Sequence, residues 1–140
     1  MQFLVTTDLN GIIGKNTLTS LRGVADANLD TAEDLALSEL DPLYANFDIP
    51  GELLKSGSSR NDMLVRMLVH ITVYYLFNAV EDVDIPERVD ENYRMQIKNI
   101  KEIASGKLSS TLDTLTNDET GLPKSNYRWG SDAARDNEIF

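Results

Sequence analysis

The sequence predicts an all-α protein, a small helical bundle of three main helices with a short N-terminal element and an extended C-terminal arm. Three segments carry apolar residues at helical spacing, and this spacing disappears after residue 106. The chain has 140 residues, which is the size of one domain with its own core. We therefore divide it into a helical bundle domain, residues 1–106, and an extended C-terminal arm, residues 107–140.

The first 24 residues allow two interpretations. The stretch "TTDLNGIIG" can open a helix at Thr7 or Asp8, although Gly11 and Gly14 disfavour its continuation. A strand over residues 2–6 is the competing interpretation. The sequence leaves this choice open.

The first main helix is predicted over residues 25–46. Its apolar face recurs at spacings of three and four, at Ala25, Leu29, Ala32, Ala36, Leu40 and Leu43. Four acidic residues are expected to lie mostly off that face, namely Asp30, Glu33, Asp34 and Glu39. Pro42 is expected to kink the helix or to restart it near Asp41.

The second main helix is predicted over residues 61–80, "NDMLVRMLVHITVYYLFNAV", and it is the most apolar. A connection precedes it, with room for a single turn at 51–55, and Ser59 or Asn61 is expected to cap the helix. Its polar positions repeat every four residues, at Asp62, Arg66, His70, Tyr74 and Asn78. A helix that is apolar on most sides is central in a bundle, and the charged positions inside the run disfavour a membrane span.

The third main helix follows a polar turn and is predicted to begin with Pro86 in its first turn. Its apolar face is formed by Val89, Tyr93, Ile97, Ile100 and Ala104. Gly106 is a natural residue for the left-handed position after the helix.

The arm has no regular apolar pattern, and a short hairpin around residues 117–121 is its only predicted local structure. It nevertheless contains large aromatic and arginine side chains, which dominate protein interfaces. The candidate partner-binding residues are Tyr127, Arg128, Trp129, Arg135, Ile139 and Phe140. They bind a neighbouring subunit or another partner, or else the arm folds back and Trp129 closes the bundle.

The sequence offers no pattern for catalysis, and we expect neither an enzyme nor a bound cofactor or metal. His70 is the only histidine, and it is best interpreted as part of an ion-paired polar stripe with Asp62 and Arg66. The acidic turn over 81–87 lacks the glycine and the spacing of a calcium loop. Phosphate-binding glycine loops and serine elbows are also missing from the sequence.

The charge balance is acidic, with 23 Asp and Glu against 13 Lys and Arg and a net charge of −10. Residues 1–106 hold 17 of the acids and 9 of the bases, so the acidity belongs mainly to the helices. Such a surface repels nucleic acid or binds basic partners. The lack of cysteine fits a reducing compartment, or a particle assembled in one, and the first residues do not resemble a signal peptide.

Three stretches resemble the Mu-type phage head–tail connector family. "DTAEDLALSELDPLYANFDI" resembles a helix that runs into a Tyr-rich turn, and "VDIPERVDENYRMQIKNIKEIASGKLS" resembles the family's helix from Ile-Pro to Gly-Lys. The ending "YRWGSDAARDNEIF" is similar to the Arg-Trp-Gly-Ser ending of relatives from phages and prophages of Bacteroidetes. The resemblance covers roughly residues 25–140.

The resemblance implies a structural virion protein that completes the head. Such a protein forms a ring under the portal, twelvefold like the portal itself, and bridges it to tail and neck proteins. It implies a location in the neck of the virion, and in the host cytoplasm during assembly, with genomic DNA passing through without specific binding. The alternative from the charge is a small acidic helical regulatory module that binds a basic protein as a charge mimic.

Overall fold

The computed structural model describes residues 1–115 and shows six α-helices there. They are α1 Thr6–Leu9, α2 Lys15–Leu21, α3 Ala27–Ser38, α4 Ile49–Leu53, α5 Asp62–Asn78 and α6 Glu87–Ala104. Short 3₁₀ turns lie at Val24–Asp26, Asp41–Leu43 and Gly57–Ser59. Within these 115 residues the only β-type pairing is a single antiparallel bridge. The prediction of an all-α protein with three main helices, α3, α5 and α6, is confirmed.

Helix α5 lies at the centre of the bundle, between α3 and α6, and α1 also contacts it. Nine of its residues are buried, namely Leu64, Met67, Leu68, Val69, Ile71, Thr72, Val73, Leu76 and Phe77. Asn61 caps the helix, since its side-chain oxygen accepts the N–H groups of Met63 at 3.0 Å and Leu64 at 3.1 Å. The predicted position and cap of the central helix are therefore both confirmed.

The N-terminal segment forms a helix, so the strand interpretation of residues 2–6 is wrong. The Asp8 carboxylate accepts the N–H of Val5 at 2.8 Å and thereby closes the first turn of α1. Leu9 is fully buried, which orients this short helix toward the core. Helix α2 was not predicted, because its seven residues carry only two buried apolar side chains, Leu18 and Leu21.

Helix α3 begins two residues later than predicted. Ala25 and Asp26 have positive φ angles of 52° and 63°, and the left-handed backbone keeps Ala25 outside the helix and exposed. The other five predicted face residues are buried, at Leu29, Ala32, Ala36, Leu40 and Leu43. The restart predicted at Pro42 is the 3₁₀ turn Asp41–Leu43.

Glu33 is the main correction to the predicted face of α3, because it is 0 % exposed rather than off the buried face. Its carboxylate accepts the main-chain N–H of Gln2, of Phe3 at 3.2 Å and of Leu4 at 2.7 Å. These amides precede α1 and have no helical partner, so a buried carboxylate satisfies them. Glu33 thus holds the N-terminal segment against α3.

Helix α6 starts directly after Pro86, which occupies the cap position rather than the first turn. The predicted face is buried at Val89 and Ile100 and half-buried at its other three positions. Gly106 has a φ of +84°, and the amide of Lys107 donates to the carbonyl of Glu102 at 2.9 Å. This geometry is a Schellman motif and confirms the predicted role of Gly106.

We expect Leu68→Ala to lower the free energy of unfolding by about 2–5 kcal/mol, because Leu68 is 0 % exposed and its truncation leaves a cavity. Urea denaturation followed by circular dichroism measures the change. Leu54→Ala is the control: that side chain is 86 % exposed, so its effect should stay within about 0.5 kcal/mol. A similarly small effect at Leu68 would show that α5 is not the centre of the core.

Candidate functional site

The C-terminal arm begins on the bundle itself. Leu112 is buried in the core, and Thr114 forms the antiparallel bridge with Phe47. The amide of Asp48 donates to the carbonyl of Asp113 at 2.8 Å, and the amide of Leu115 donates to the carbonyl of Asn46 at 3.2 Å. Residues 111–115, which we call the arm base, are therefore paired with the chain ahead of α4.

An ionic contact fastens the arm base to α4. The ammonium group of Lys55 lies 3.0 Å from Glu52 Oε1 and 2.8 Å from Asp113 Oδ2, and Glu52 Oε1 also accepts the amide of Asp113 at 3.1 Å. Hydrogen bonds to Asp113 and then Glu52 raise the pKa of Lys55. Glu52 is 1 % exposed, so Lys55 neutralises a carboxylate that burial would otherwise disfavour.

The arm base adds a buried residue, Leu112, to the core of the bundle. Leu112 lies beyond residue 106, where the helical domain is predicted to end. The remaining residues of the arm, 116–140, lie outside the described residues. The hairpin predicted around 117–121 lies there, as do the candidate partner-binding residues Tyr127, Arg128, Trp129, Arg135, Ile139 and Phe140. Among the described residues, the structure brings together the start of the arm and the bundle.

A groove of about 390 Å³ runs between α5 and α6 and ends beside the first residues after α6. Its apolar lining is Met63, Met67, Met95, Ile103 and Leu108. Its polar lining is Arg66, His70, Asn92, Gln96, Asn99 and Ser109. We call this concavity the α5–α6 groove. Met95 is 55 % exposed and Leu108 is 39 % exposed, so part of the apolar lining faces solvent.

The polar stripe of α5 forms a ridge between two concavities. Arg66 and His70 line the α5–α6 groove on one side and a second pocket, which Asp8 and Asp62 also line, on the other. The predicted ion pairing along this stripe is wrong, because within residues 1–115 no ion pair joins Asp62, Arg66 and His70. Burial lowers the pKa of His70, and the nearby guanidinium groups of Arg66 and Arg88 lower it further.

A cluster of three tyrosines joins the main helices on another part of the bundle. Tyr74 and Tyr93 stack with their ring centres 3.9 Å apart, and Tyr75 meets both rings edge-on. Glu39 accepts the hydroxyl groups of Tyr75 and of Tyr93, the latter at 3.2 Å. Burial and then the hydrogen bond to Glu39 raise the pKa of Tyr75, so its hydroxyl stays a donor. The sequence pattern places Tyr75 and Tyr93 on apolar faces and Tyr74 on the polar stripe, and it does not predict that the three rings meet.

In the described part of the chain, no three His, Asp or Glu side chains come together as a metal site. Over the same residues, no helix combines the length and the apolar character that crossing a membrane requires.

Comparison with known proteins identifies a family. A family model described as Bacteriophage Mu, Gp36 matches residues 53–126, which is more than half of the chain. The chain belongs to this phage protein family. No curated protein and no solved structure matches the chain.

The Gp36 family match confirms the Mu-type phage family that the sequence predicted. It begins at the end of α4, includes α5, α6 and the arm base, and continues to residue 126. The α5–α6 groove and the arm base therefore both lie within the matched residues.

We expect stability to fall as the pH drops below 6.5, the ordinary pKa of histidine, partly because of His70. The unfolded chain takes up a proton there near that pH, whereas burial and the adjacent arginines keep the folded His70 neutral to lower pH. His70→Gln removes this contribution. Thermal melts of both proteins at pH 8.0 and pH 5.5 should therefore show a smaller loss of melting temperature in the variant. Parallel losses would contradict the lowered pKa.

Proposed function

We propose that this phage protein is a non-enzymatic head–tail connector. It forms a ring under the portal, twelvefold in the virion, and bridges the portal to tail and neck proteins. The arm beyond residue 115 docks on the portal or on a neighbouring subunit, through the side chains from Tyr127 to Phe140. The protein acts in the neck of the virion after assembly in the host cytoplasm.

The span of the family match is the observation that carries this proposal. It joins the central helices to the arm base and runs on for eleven residues beyond Leu115. A bundle with a fastened arm base can present a C-terminal segment to another molecule without losing its own core. The resemblance of the residues from Arg128 to Ser131 to the ending of connector proteins supports the same role.

The acidic surface supports a channel through which DNA moves. A ring lined with carboxylates repels the phosphate backbone of DNA, so the genome can slide through the ring without specific binding. At the start of α6, a side-chain hydrogen bond to Glu87, and then the repulsion between the two like charges, raise the pKa of Glu91. This crowding also favours the second candidate function, an acidic module that binds a basic protein, because a basic partner would relieve the repulsion.

Deleting residues 123–140 should leave a folded bundle that no longer sediments with the portal. The deletion keeps Leu112 and the Lys55–Asp113 contact, so the melting temperature should change little. Trp129→Ala should weaken portal binding by about 30-fold or more, as for a single aromatic anchor at an interface. Leu54→Ala removes an exposed apolar side chain of the bundle and is the matched control.

A longer deletion, of residues 107–140, separates folding from docking in the same assay. It removes Leu112 from the core and leaves Glu52 without its contact to the arm base, so it should destabilise the bundle. Normal portal binding by the shorter deletion would show that the arm is not the docking element. Unfolding by the shorter deletion would show that residues 123–140 belong to the core.

Duplex DNA should not be retained by the protein at physiological salt, because a net charge of −10 opposes phosphate binding. Filter binding over a salt series measures this. Tight, salt-sensitive retention would contradict the proposed acidic channel. Competition with DNA for a basic protein, without assembly on the portal, would instead support the charge-mimic function.

A further inference from the structure

We infer that the α5–α6 groove receives the segment around Trp129 from a second copy of this chain, and that this contact joins neighbouring subunits. The inference rests on the proposed function, since it assumes the ring, and it names the surface on which the arm docks. The inference gives a function to a groove whose rim, at Met95 and Leu108, is not covered by the packing of α5 against α6.

The lining of the groove suits an aromatic side chain. Three of the four methionines of the chain lie in it, and Met95 at its rim is more than half exposed. Methionine side chains adapt their shape and make favourable contacts with aromatic rings. The volume of about 390 Å³ is in the range of pockets that bind small ligands. Trp129 is the only tryptophan available to fill it.

One charge of the groove complements an acidic residue of the same segment. Arg66 lines it and forms no ion pair within residues 1–115, although the chain has ten more acidic than basic residues. Asp132 follows Trp129 by three residues in the sequence. When the Trp129 indole occupies the methionine-lined part of the groove, the Asp132 carboxylate can reach the Arg66 guanidinium at the groove wall. Arg66 thereby selects an aromatic segment that also carries an acid.

The path of the chain favours a second copy as the source of the segment. The chain leaves the groove wall at Ser109, and the arm base is then held by Asn61, by the burial of Leu112 and by the pairing of Leu115 with Asn46. The described chain therefore ends at Leu115 beside Asn46 and not at the wall of its own groove. The residues between 115 and 129 can span up to about 46–50 Å when extended, which is enough to reach an adjacent bundle.

The symmetry of such a contact fits a ring. A segment on one subunit and a groove on the next are different surfaces, so the contact is heterologous. When the rotation between neighbours closes, heterologous contacts form a ring, whereas a self-complementary patch stops at a dimer. Each subunit then uses its groove for one neighbour and its arm for the other.

The absence of cysteine makes a direct test possible. One variant carries Asn99→Cys at the groove wall, and a second carries Ser131→Cys next to the intact Trp129. The two are mixed in equal amounts, assembled with the portal of the same phage, and treated with a short thiol cross-linker. We expect a covalent product of two chains in the ring fraction. Thr19→Cys, on an exposed position of α2, replaces Asn99→Cys as the control and should give none.

The double variant Asn99→Cys with Ser131→Cys distinguishes the source of the segment. In the ring, it should form covalent chains of several subunits. A ring that forms with only internal cross-links, or with no cross-link at the groove, would overturn the inference and leave the connector function standing. No ring under any condition would overturn both. A cross-link between chains that also appears with the Thr19→Cys control would show nonspecific contact and overturn the inference.

Substitutions in the groove give a second measurement on the cysteine-free chain. Met95→Glu and Arg66→Glu should each reduce ring formation on the portal by about tenfold or more, as for residues at the centre of an interface. Leu54→Glu places the same charge on an exposed apolar position outside the groove and should assemble normally. Normal rings from both groove variants, with unchanged melting temperatures, would contradict the inference.

Discussion

The apolar surface of helix α5 is the constraint on which the rest of the fold depends. Nine of its seventeen residues are buried, so the helix cannot face water on more than one narrow side. Helices α3 and α6 cover two sides, α1 covers part of a third, and Leu112 from the arm base joins the same core. The side left is the polar stripe with Arg66 and His70, which explains why the α5–α6 groove and the pocket beside Asp8 meet there.

Two buried carboxylates fasten the parts of the chain that have no long helix of their own. Glu33 accepts three main-chain amides from residues 2–4, and Glu52 accepts the amide of Asp113 while Lys55 balances its charge. Each replaces the hydrogen bonds that a helix or a sheet would provide. The N-terminal segment and the arm base are thus held by charge-assisted hydrogen bonds, which are stronger than neutral ones.

The three main helices could be predicted from the sequence because each carries a long run of apolar residues at helical spacing. Two helix ends could also be predicted, because the Asn61 side chain can accept the first free amides of α5 and Gly106 can adopt the left-handed backbone that follows α6. The burial of Glu33 could not be predicted, because it depends on main-chain amides about thirty residues away rather than on its own helix. The bidentate pairing of Arg60 with Asp8, the tyrosine cluster and the docking of the arm base are likewise long-range contacts. Composition predicts the aromatic segment of the arm as a candidate for partner binding, whereas the groove forms only once α5 and α6 are packed.

In the proposed connector, which joins two larger bodies, the arm base has a mechanical consequence. Tension on residues beyond Leu115 acts first on the two main-chain hydrogen bonds that join the arm base to Asn46 and Asp48. Leu112 must then leave the core, and the Lys55–Asp113 contact must break, before force reaches the end of α6. In the proposed connector, residues 111–115 therefore keep a load on the arm from unwinding the bundle.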